Sequence, residues 1–317
     1  MDPSLMIMWL GFILAGYSVV GNDSIQTLGT FLSSNENRPW YVLWFFAGSI
    51  LTITMVYGWY NYGGDVSYDR LAKYPLPDPF AWYYILPPLV LMALTRTGIP
   101  VSTSFLILTF FSEKNMMDMI EKSVLGYIVA FGASIVVYIL IASTIEKRFI
   151  ESESTPEERR IWMPLLLLST GFLWSQWLIQ DFANIFVYLP RSLSGANLAV
   201  SLSILLLLLG YIFYSKGGSI QNIVKSKTNT VDIRSATIVN AVYGLVLYYF
   251  KELNNVPMST TWVFIGLLAG REIAIRIRLE KKISKTIARM VLSDLGKVFF
   301  GLVVSILLVF IIKFLAK

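Results

Sequence analysis

Two aspartates, Asp23 and Asp181, stand inside long apolar runs, each with an amide residue directly before it and another three residues after it. The first group reads Asn22-Asp23-Ser24-Ile25-Gln26 and the second Gln180-Asp181-Phe182-Ala183-Asn184, the same groups in exchanged order. Each is followed, 77 and 76 residues later, by a proline and a hydroxyl triplet: Pro100-Val101-Ser102-Thr103-Ser104 and Pro257-Met258-Ser259-Thr260-Thr261. Asp181 lies 158 positions after Asp23 and Pro257 lies 157 after Pro100, half of the 317 residues. A carboxylate in an apolar run is costly and marks a functional place by default. Its repetition at matched spacing points to a duplicated fold with one site built from both copies.

Carboxylate, amide oxygens and the carbonyls of unwound backbone are hard oxygen ligands, suited to a sodium ion or a proton. Asp23, Asp181, Gln26 and Asn184 are therefore the candidate cation residues, and Gly21 eases local unwinding beside Asn22. A proline at a first helical position loses no backbone donor. The hydroxyls after it stand beside the free N–H groups and the positive end of the helix, which together make an anion site. Ser102, Thr103, Ser104, Ser259, Thr260 and Thr261, with Asn22 and Gln180, are the candidate substrate residues. Plainer roles exist, since Ser and Thr cap ordinary helices and a buried Asp can serve packing alone. Two copies at matched spacing weigh against both. Arg96 and Lys251, four and six residues before their prolines, either lend charge to the cargo or snorkel and pair locally, as Lys251 can with Glu252; Lys297 has the same ambiguity.

The elements that must position these residues are membrane spans. Apolar residues make up 56% of the chain and charged residues 15%, with mean hydropathy +0.63, against about 45–50% and about 25% in soluble domains. There is no cysteine, which excludes disulfides and thiolate chemistry, and no histidine, which removes the commonest general base and zinc ligand. The net charge of +6 fits basic loops on one membrane face rather than a nucleic-acid partner. The first apolar run starts near Leu5 without a basic leader or an A-x-A site, so a cleaved signal peptide is not expected.

Repeat one is expected to hold a span from Leu5 to Leu32 interrupted near Gly21, a span from Trp40 to Tyr60, and a re-entrant hairpin with arms Ala81–Thr95 and Val101–Phe111. A closing span runs from Lys122 to Ile145. Repeat two is expected to hold Trp162–Leu189, Ala196–Tyr214, a hairpin with arms Ala236–Phe250 and Val256–Gly270, and a last span Met290–Phe314. The expected fold class is thus an all-α polytopic membrane protein of two inverted-topology repeats, each with three transmembrane helices and one re-entrant helical hairpin. The repeats cover 1–145 and 161–317, with a cytoplasmic linker at 146–160 and hairpins at about 81–111 and 236–270.

Three crossings per repeat invert the second copy. One face takes Arg38, the linker, the 215–235 loop and the 271–289 segment, 16 basic residues. The other takes Arg70, Lys73, Lys114, Lys122, Arg191, Lys313 and Lys317. The richer face is cytoplasmic by the positive-inside rule, so both termini are expected outside, with hairpin one entering from outside and hairpin two from the cytoplasm. Trp40, Tyr41, Tyr60, Trp82, Tyr83, Trp162 and Tyr214 fall near span ends as interfacial anchors.

These motifs resemble those of the inorganic phosphate transporter (PiT) family, which carries a G-x-N-D-x-x-N and a P-x-S-T-T pattern in each of two inverted repeats. The matching stretches are Gly21–Gln26 with Pro100–Ser104, and Gln180–Asn184 with Pro257–Thr261. The resemblance implies symport of phosphate with sodium or protons, sodium at Asp23 and Asp181, no other cofactor, and an inner-membrane protein with extracellular termini. Asn22, Asp23, Gln26, Gln180, Asp181 and Asn184 fall on the cation and substrate motif, and the two hydroxyl triplets fall on the phosphate-binding hairpin tips. Departures are Gln26, Gln180 and Ser104 in place of Asn, Asn and Thr, and Phe105 and Trp262 where the family often has His. The second span of each repeat also lacks an acidic residue that many members carry. Another tetrahedral oxyanion such as sulfate remains open on these grounds.

An intramembrane aspartyl protease is disfavoured by the absence of a G-x-G-D motif and by the duplicated hairpins. A phosphate sensor that has lost its transport cycle is the remaining alternative. The expected partners are the oxyanion and the lipid bilayer; a homodimer is compatible with the sequence, which does not fix oligomeric state.

Overall fold

The computed structural model describes residues 3–96, 102–216, 232–253, 258–279 and 285–315. The expected hairpin tips, 97–100 and 254–257, lie outside the described residues, as do the side chains of Asn22, Gln26, Arg96 and Lys297.

The chain begins with α1 (Pro3–Ser18), a π-helical turn (Val19–Asp23) and α2 (Ser24–Ser34). Next come α3 (Trp40–Asn61), an irregular segment, a 3-10 turn (Trp82–Ile85), α4 (Leu86–Arg96) and α5 (Thr103–Phe111). After α6 (Met116–Ile141), a second π-helical turn (Ala142–Glu146) leads into the short α7 (Lys147–Glu151). The second half contains α8 (Pro156–Gln180), 3-10 turns over Phe182–Tyr188, α9 (Gly195–Tyr214), α10 (Ile233–Leu253), α11 (Thr260–Leu279) and α12 (Lys285–Leu315). The α8 start is fixed by a capping box: Thr155 accepts the Glu158 N–H while Glu158 accepts the Thr155 N–H, with Pro156 in the first turn.

Among the described residues, five helical stretches are long and apolar enough to cross a bilayer: Pro3–Gly21, Trp40–Asn61, Glu113–Ile141, Gly195–Tyr214 and Ile233–Glu252. Their outward faces are apolar. Phe45, Leu140, Leu207 and Leu245 are 71, 69, 74 and 60% exposed, a surface that only lipid solvates well. The chain is a multi-pass, all-helical membrane protein.

Helix pairing follows the two halves. α1 packs on α4 and α8 on α10; α5 packs on α12 and α6 on α11; α3 packs on α9. Small residues allow the closest approaches, because little hydrophobic force operates between helices in lipid. On α11, a Cβ at Gly266 would stand 2.5 Å from the Tyr127 carbonyl oxygen, and one at Gly270 2.4 Å from that of Phe131. Ser134 on α6 also donates to Leu267 O at 2.7 Å. Between α8 and α10, Asn240 donates to Thr170 at 2.9 Å and accepts from Thr30 of α2 at 2.8 Å.

Three elements differ from expectation. The span expected over Trp162–Leu189 is cut at Asp181, where the backbone (φ −129, ψ −55) leaves the α-helix. The helices α10 and α11 are longer than the arms expected over Ala236–Phe250 and Val256–Gly270, because the charges that seemed to bound them are paired inside. Arg234 is buried against Asp232 and Glu158 at 2.8 and 3.0 Å, and Arg271 against Glu146 at 2.6 Å. Finally, Arg70 and Lys122 are not loop charges. Both are buried, Lys122 within α6 and Arg70 on an inward-folded segment.

Candidate functional site where two helix starts meet

Asp181 is the centre of the arrangement. Its N–H still closes the last turn of α8 on Trp177 O at 2.9 Å. The change of backbone direction then exposes Gln180 O, which accepts from Asn184 Nδ2 at 3.1 Å and from Arg70 Nη2 at 3.1 Å. The two carboxylate oxygens face helix starts in opposite halves of the chain. Oδ1 accepts from Ser104 Oγ in the first turn of α5, and Oδ2 from Thr260 Oγ1 at the start of α11. Each hydroxyl is itself oriented by an N–H donor. Asn184 Nδ2 donates to Ser104 Oγ at 2.8 Å, and Trp177 Nε1 donates to Thr260 Oγ1 at 3.0 Å. A hydroxyl that receives an N–H turns its own proton outward, so both oxygens of Asp181 act as acceptors. Asp181, Ser104, Thr260, Gln180 and Asn184 are all at most 2% exposed, so the site is shut off from solvent.

The first copy is built differently. Asp23 is fully buried at the end of the Val19–Asp23 π-helical turn, so the break expected at Gly21-Asn22 is a local widening of the helix rather than an unwound stretch. Ser24 Oγ bonds back to Val20 O across that turn. Tyr243 of α10 links the copies: it lies within electrostatic reach of both Asp23 and Asp181, and its hydroxyl donates to Thr260 O at 3.0 Å.

The hydroxyl triplets sit at helix starts as expected. Ser102 caps α5, accepting the Phe105 N–H at 3.1 Å. Ser259 donates its N–H to Ser123 Oγ of α6 at 2.9 Å, just before α11. Several buried polar atoms here have no hydrogen-bond partner among the described residues: the hydroxyls of Thr103, Ser259 and Thr261, and the amide oxygens Gln180 Oε1 and Asn184 Oδ1. Buried unsatisfied groups each cost about 1–3 kcal/mol. Their concentration at the repeated motifs fits a place where donors await an anion and oxygens await a cation.

Of the residues expected from sequence, Ser104, Thr260, Asp181, Gln180 and Asn184 form one bonded cluster, and the others with described side chains are buried at the same helix starts or, for Asp23, across Tyr243. Two of the expected substrate residues, Ser104 and Thr260, bond directly to an expected cation residue. Lys251 is not part of the site: it pairs with Glu252 at 3.5 Å.

Sequence reasoning missed Arg70, Tyr243 and Trp177. Arg70 lies between α3 and the 3-10 turn at Trp82, on a segment that folds inward with Val66, Leu71, Tyr74 and Phe80 buried. Asp65 organises its turn by accepting the N–H groups of Ser67 and Asp69 at 2.7 and 3.0 Å, and Tyr68 and Asp69 adopt left-handed backbone (φ 58 and 60). Arg191 staples it down, donating from Nε and Nη2 to Tyr74 O at 3.1 and 2.7 Å. Burial lowers the Arg191 guanidinium to about 10, with Asp65 opposing, so the staple stays charged at neutral pH. The available sequence signal was the density of Tyr, Pro and Phe in a stretch otherwise read as a solvent loop.

A solved structure described as "The sodium-dependent phosphate transporter" aligns with 99% of this chain and 100% of its own, with TM-score 0.62 and 15% sequence identity. No protein-family model and no curated protein matches the sequence. The likeness extends over the whole length and establishes the fold.

Proposed function

We propose that the chain is a secondary transporter that carries inorganic phosphate together with a cation, sodium or proton, by alternating access. The observation that carries this reading is the double anchoring of Asp181: one carboxylate holds the starts of α5 and α11, which belong to opposite halves. The likeness in fold to a sodium-dependent phosphate transporter supports it.

The chemistry runs as follows. Helix starts rich in hydroxyls and free N–H groups favour an anion. Ser102, Thr103, Ser259 and Thr261, with Asn22 and Gln180, take the phosphate oxygens, and Ser104 and Thr260 join them as their bonds to Asp181 release. Asp23, Asp181, Gln26 and Asn184 supply the hard oxygens that suit sodium, and Asp181 is where the two subsites touch. Among the substrate residues, the acceptor Gln180 Oε1 favours an anion that still carries a proton, which phosphate does near neutral pH and sulfate does not. Opening toward either face parts one hairpin from Asp181. Each latch is a single hydroxyl-to-carboxylate bond, so the two directions cost similar amounts and neither traps the carrier.

The exchange of packing partners between halves supports two inverted repeats, 1–145 and 161–317, joined by a cytoplasmic linker. Setting aside the buried Arg70 and Lys122 on one face and Arg234 and Arg271 on the other leaves 14 basic residues against five, which supports cytoplasmic placement of the linker, external termini and an inner-membrane location.

Purified protein in proteoliposomes tests the reading. Labelled phosphate should accumulate when a sodium or proton gradient is imposed, and Asp23→Asn or Asp181→Asn should abolish accumulation. Tight binding with no flux under either gradient would overturn it in favour of a sensor, and full competition by sulfate would reassign the cargo.

A further inference from the structure

The guanidinium of Arg70 is buried, 2% exposed, and among the described residues only one of its three nitrogens is used: Nη2 donates to Gln180 O at 3.1 Å, while Nε and Nη1 have no hydrogen-bond partner there. A guanidinium carries five N–H donors and no acceptor. Three of them, one on Nε and two on Nη1, are therefore unsatisfied in a place that water does not reach.

Arg70 lies within electrostatic reach of Asp181, yet no ion pair joins them among the described residues, and the oxygens of Asp181 face Ser104 and Thr260 instead. The guanidinium is thus held beside the carboxylate without spending its donors on it. The segment bearing it is fixed from several sides: the Asp65 turn, the Arg191 staple on Tyr74, and the bond from Leu193 N to Gly64 O at 2.9 Å. Lys122, buried on α6 beside the Ser123 that accepts the Ser259 N–H, lies within electrostatic reach of both Arg70 and the exposed Lys73.

We propose that Arg70 is a substrate-binding residue, its Nε and Nη1 donors taking oxygens of a tetrahedral oxyanion whose remaining oxygens meet the hydroxyls of the two helix starts. This rests on the phosphate-transport reading and names a residue that the repeated motifs do not contain. Arginine suits the task because its donors are fixed in a plane and its charge does not switch off with pH. The site is then asymmetric: both halves supply hydroxyls, but the first half alone supplies this charge.

The test compares wild type, Arg70→Lys and Arg70→Gln in proteoliposomes, measuring the KM for labelled phosphate, the concentration of driving cation giving half-maximal uptake, and the phosphate-induced rise in melting temperature in detergent. Charge-assisted hydrogen bonds imply a 10- to 100-fold rise in phosphate KM for Arg70→Gln. Arg70→Lys should fall between it and wild type. Cation dependence should be unchanged, and the phosphate-induced stabilisation should shrink in both variants. If Arg70→Gln fails to fold, Arg70→Lys decides, since it keeps the charge but loses the fork. A normal phosphate KM in either folded variant, or a shift confined to the cation dependence, overturns the assignment and makes Arg70 a brace or a counter-ion of Asp181. Failure of wild type to take up phosphate sinks the transport reading itself, a separate result.

Discussion

Ser104 and Asp181 lie 77 residues apart in opposite halves of the chain, yet their side chains share a hydrogen bond, and Thr260 completes the same carboxylate from the other side. Because Asn184 and Trp177 each donate an N–H to one of those hydroxyls, the protons of Ser104 and Thr260 are committed to Asp181. The junction is a five-residue unit in which each member fixes the orientation of the next.

Ser104→Ala and Thr260→Ala should each remove one donor to a charged acceptor, worth about 1.5–3 kcal/mol. Apparent phosphate affinity in uptake assays should fall about tenfold or more for each. The double variant should lose less than the two combined, because both act through Asp181. Strict additivity would show that the two hydroxyls work independently.

Gly64 sits at φ +97, and a Cβ there would approach Ser192 Oγ to 2.5 Å and the backbone N and O of Leu193 to 3.2 Å. Gly64→Ala should therefore strain the segment that carries Arg70, by about 1–3 kcal/mol. The expected readout is a lower melting temperature together with a raised phosphate KM. A melting temperature and KM equal to wild type would mean that this anchor does not hold the segment.

Gly270→Ala should destabilise the α6–α11 pair by about 1–3 kcal/mol, because the new methyl group meets the Phe131 carbonyl. Gly132→Ala, on α6 with nothing within 4 Å of its Cβ, should be neutral or slightly stabilising. Melting of the two variants in detergent checks the contrast.

Glu146 and Arg271 form a buried ion pair, with Ser235 donating to both Glu146 oxygens at 3.0 Å and the Arg271 guanidinium 5.4 Å from the Tyr138 ring centroid. Removing one charge strands the other, at about 3–5 kcal/mol. Glu146→Gln and Arg271→Met should each lower the melting temperature markedly, and the double variant should recover much of the loss. A double variant as unstable as the sum would show that the pair contributes nothing as a pair.

Much of this was legible in the sequence, and the rest failed for identifiable reasons. The repeated aspartates and hydroxyl triplets marked residues that the structure brings together at the candidate site, because a carboxylate in an apolar run has few other uses. The limits of α3 and α9 matched because lipid imposes a uniform apolar length. The lengths of α10 and α11 were underestimated because Arg234 and Arg271 read as solvent boundaries, while their partners Glu158 and Glu146 are distant in sequence and Asp232 lies in a stretch read as loop. Arg70 was invisible for the same reason: a lone arginine in a loop carries no periodicity, and only the inward fold of its segment reveals where it goes. Asp23 and Asp181 read alike as letters, yet one ends a π-helical turn and the other an α-helix, a difference set by packing rather than by the shared motif.

The chain contains no cysteine, so paired thiols can be introduced without background. Ser104→Cys combined with Thr260→Cys, treated with a short bifunctional thiol reagent in membranes and read by mass spectrometry of the linked peptides, measures the meeting of the two helix starts most directly. The account predicts efficient cross-linking within one chain in the double variant. Reactive thiols in both single variants but no link in the double variant would contradict it.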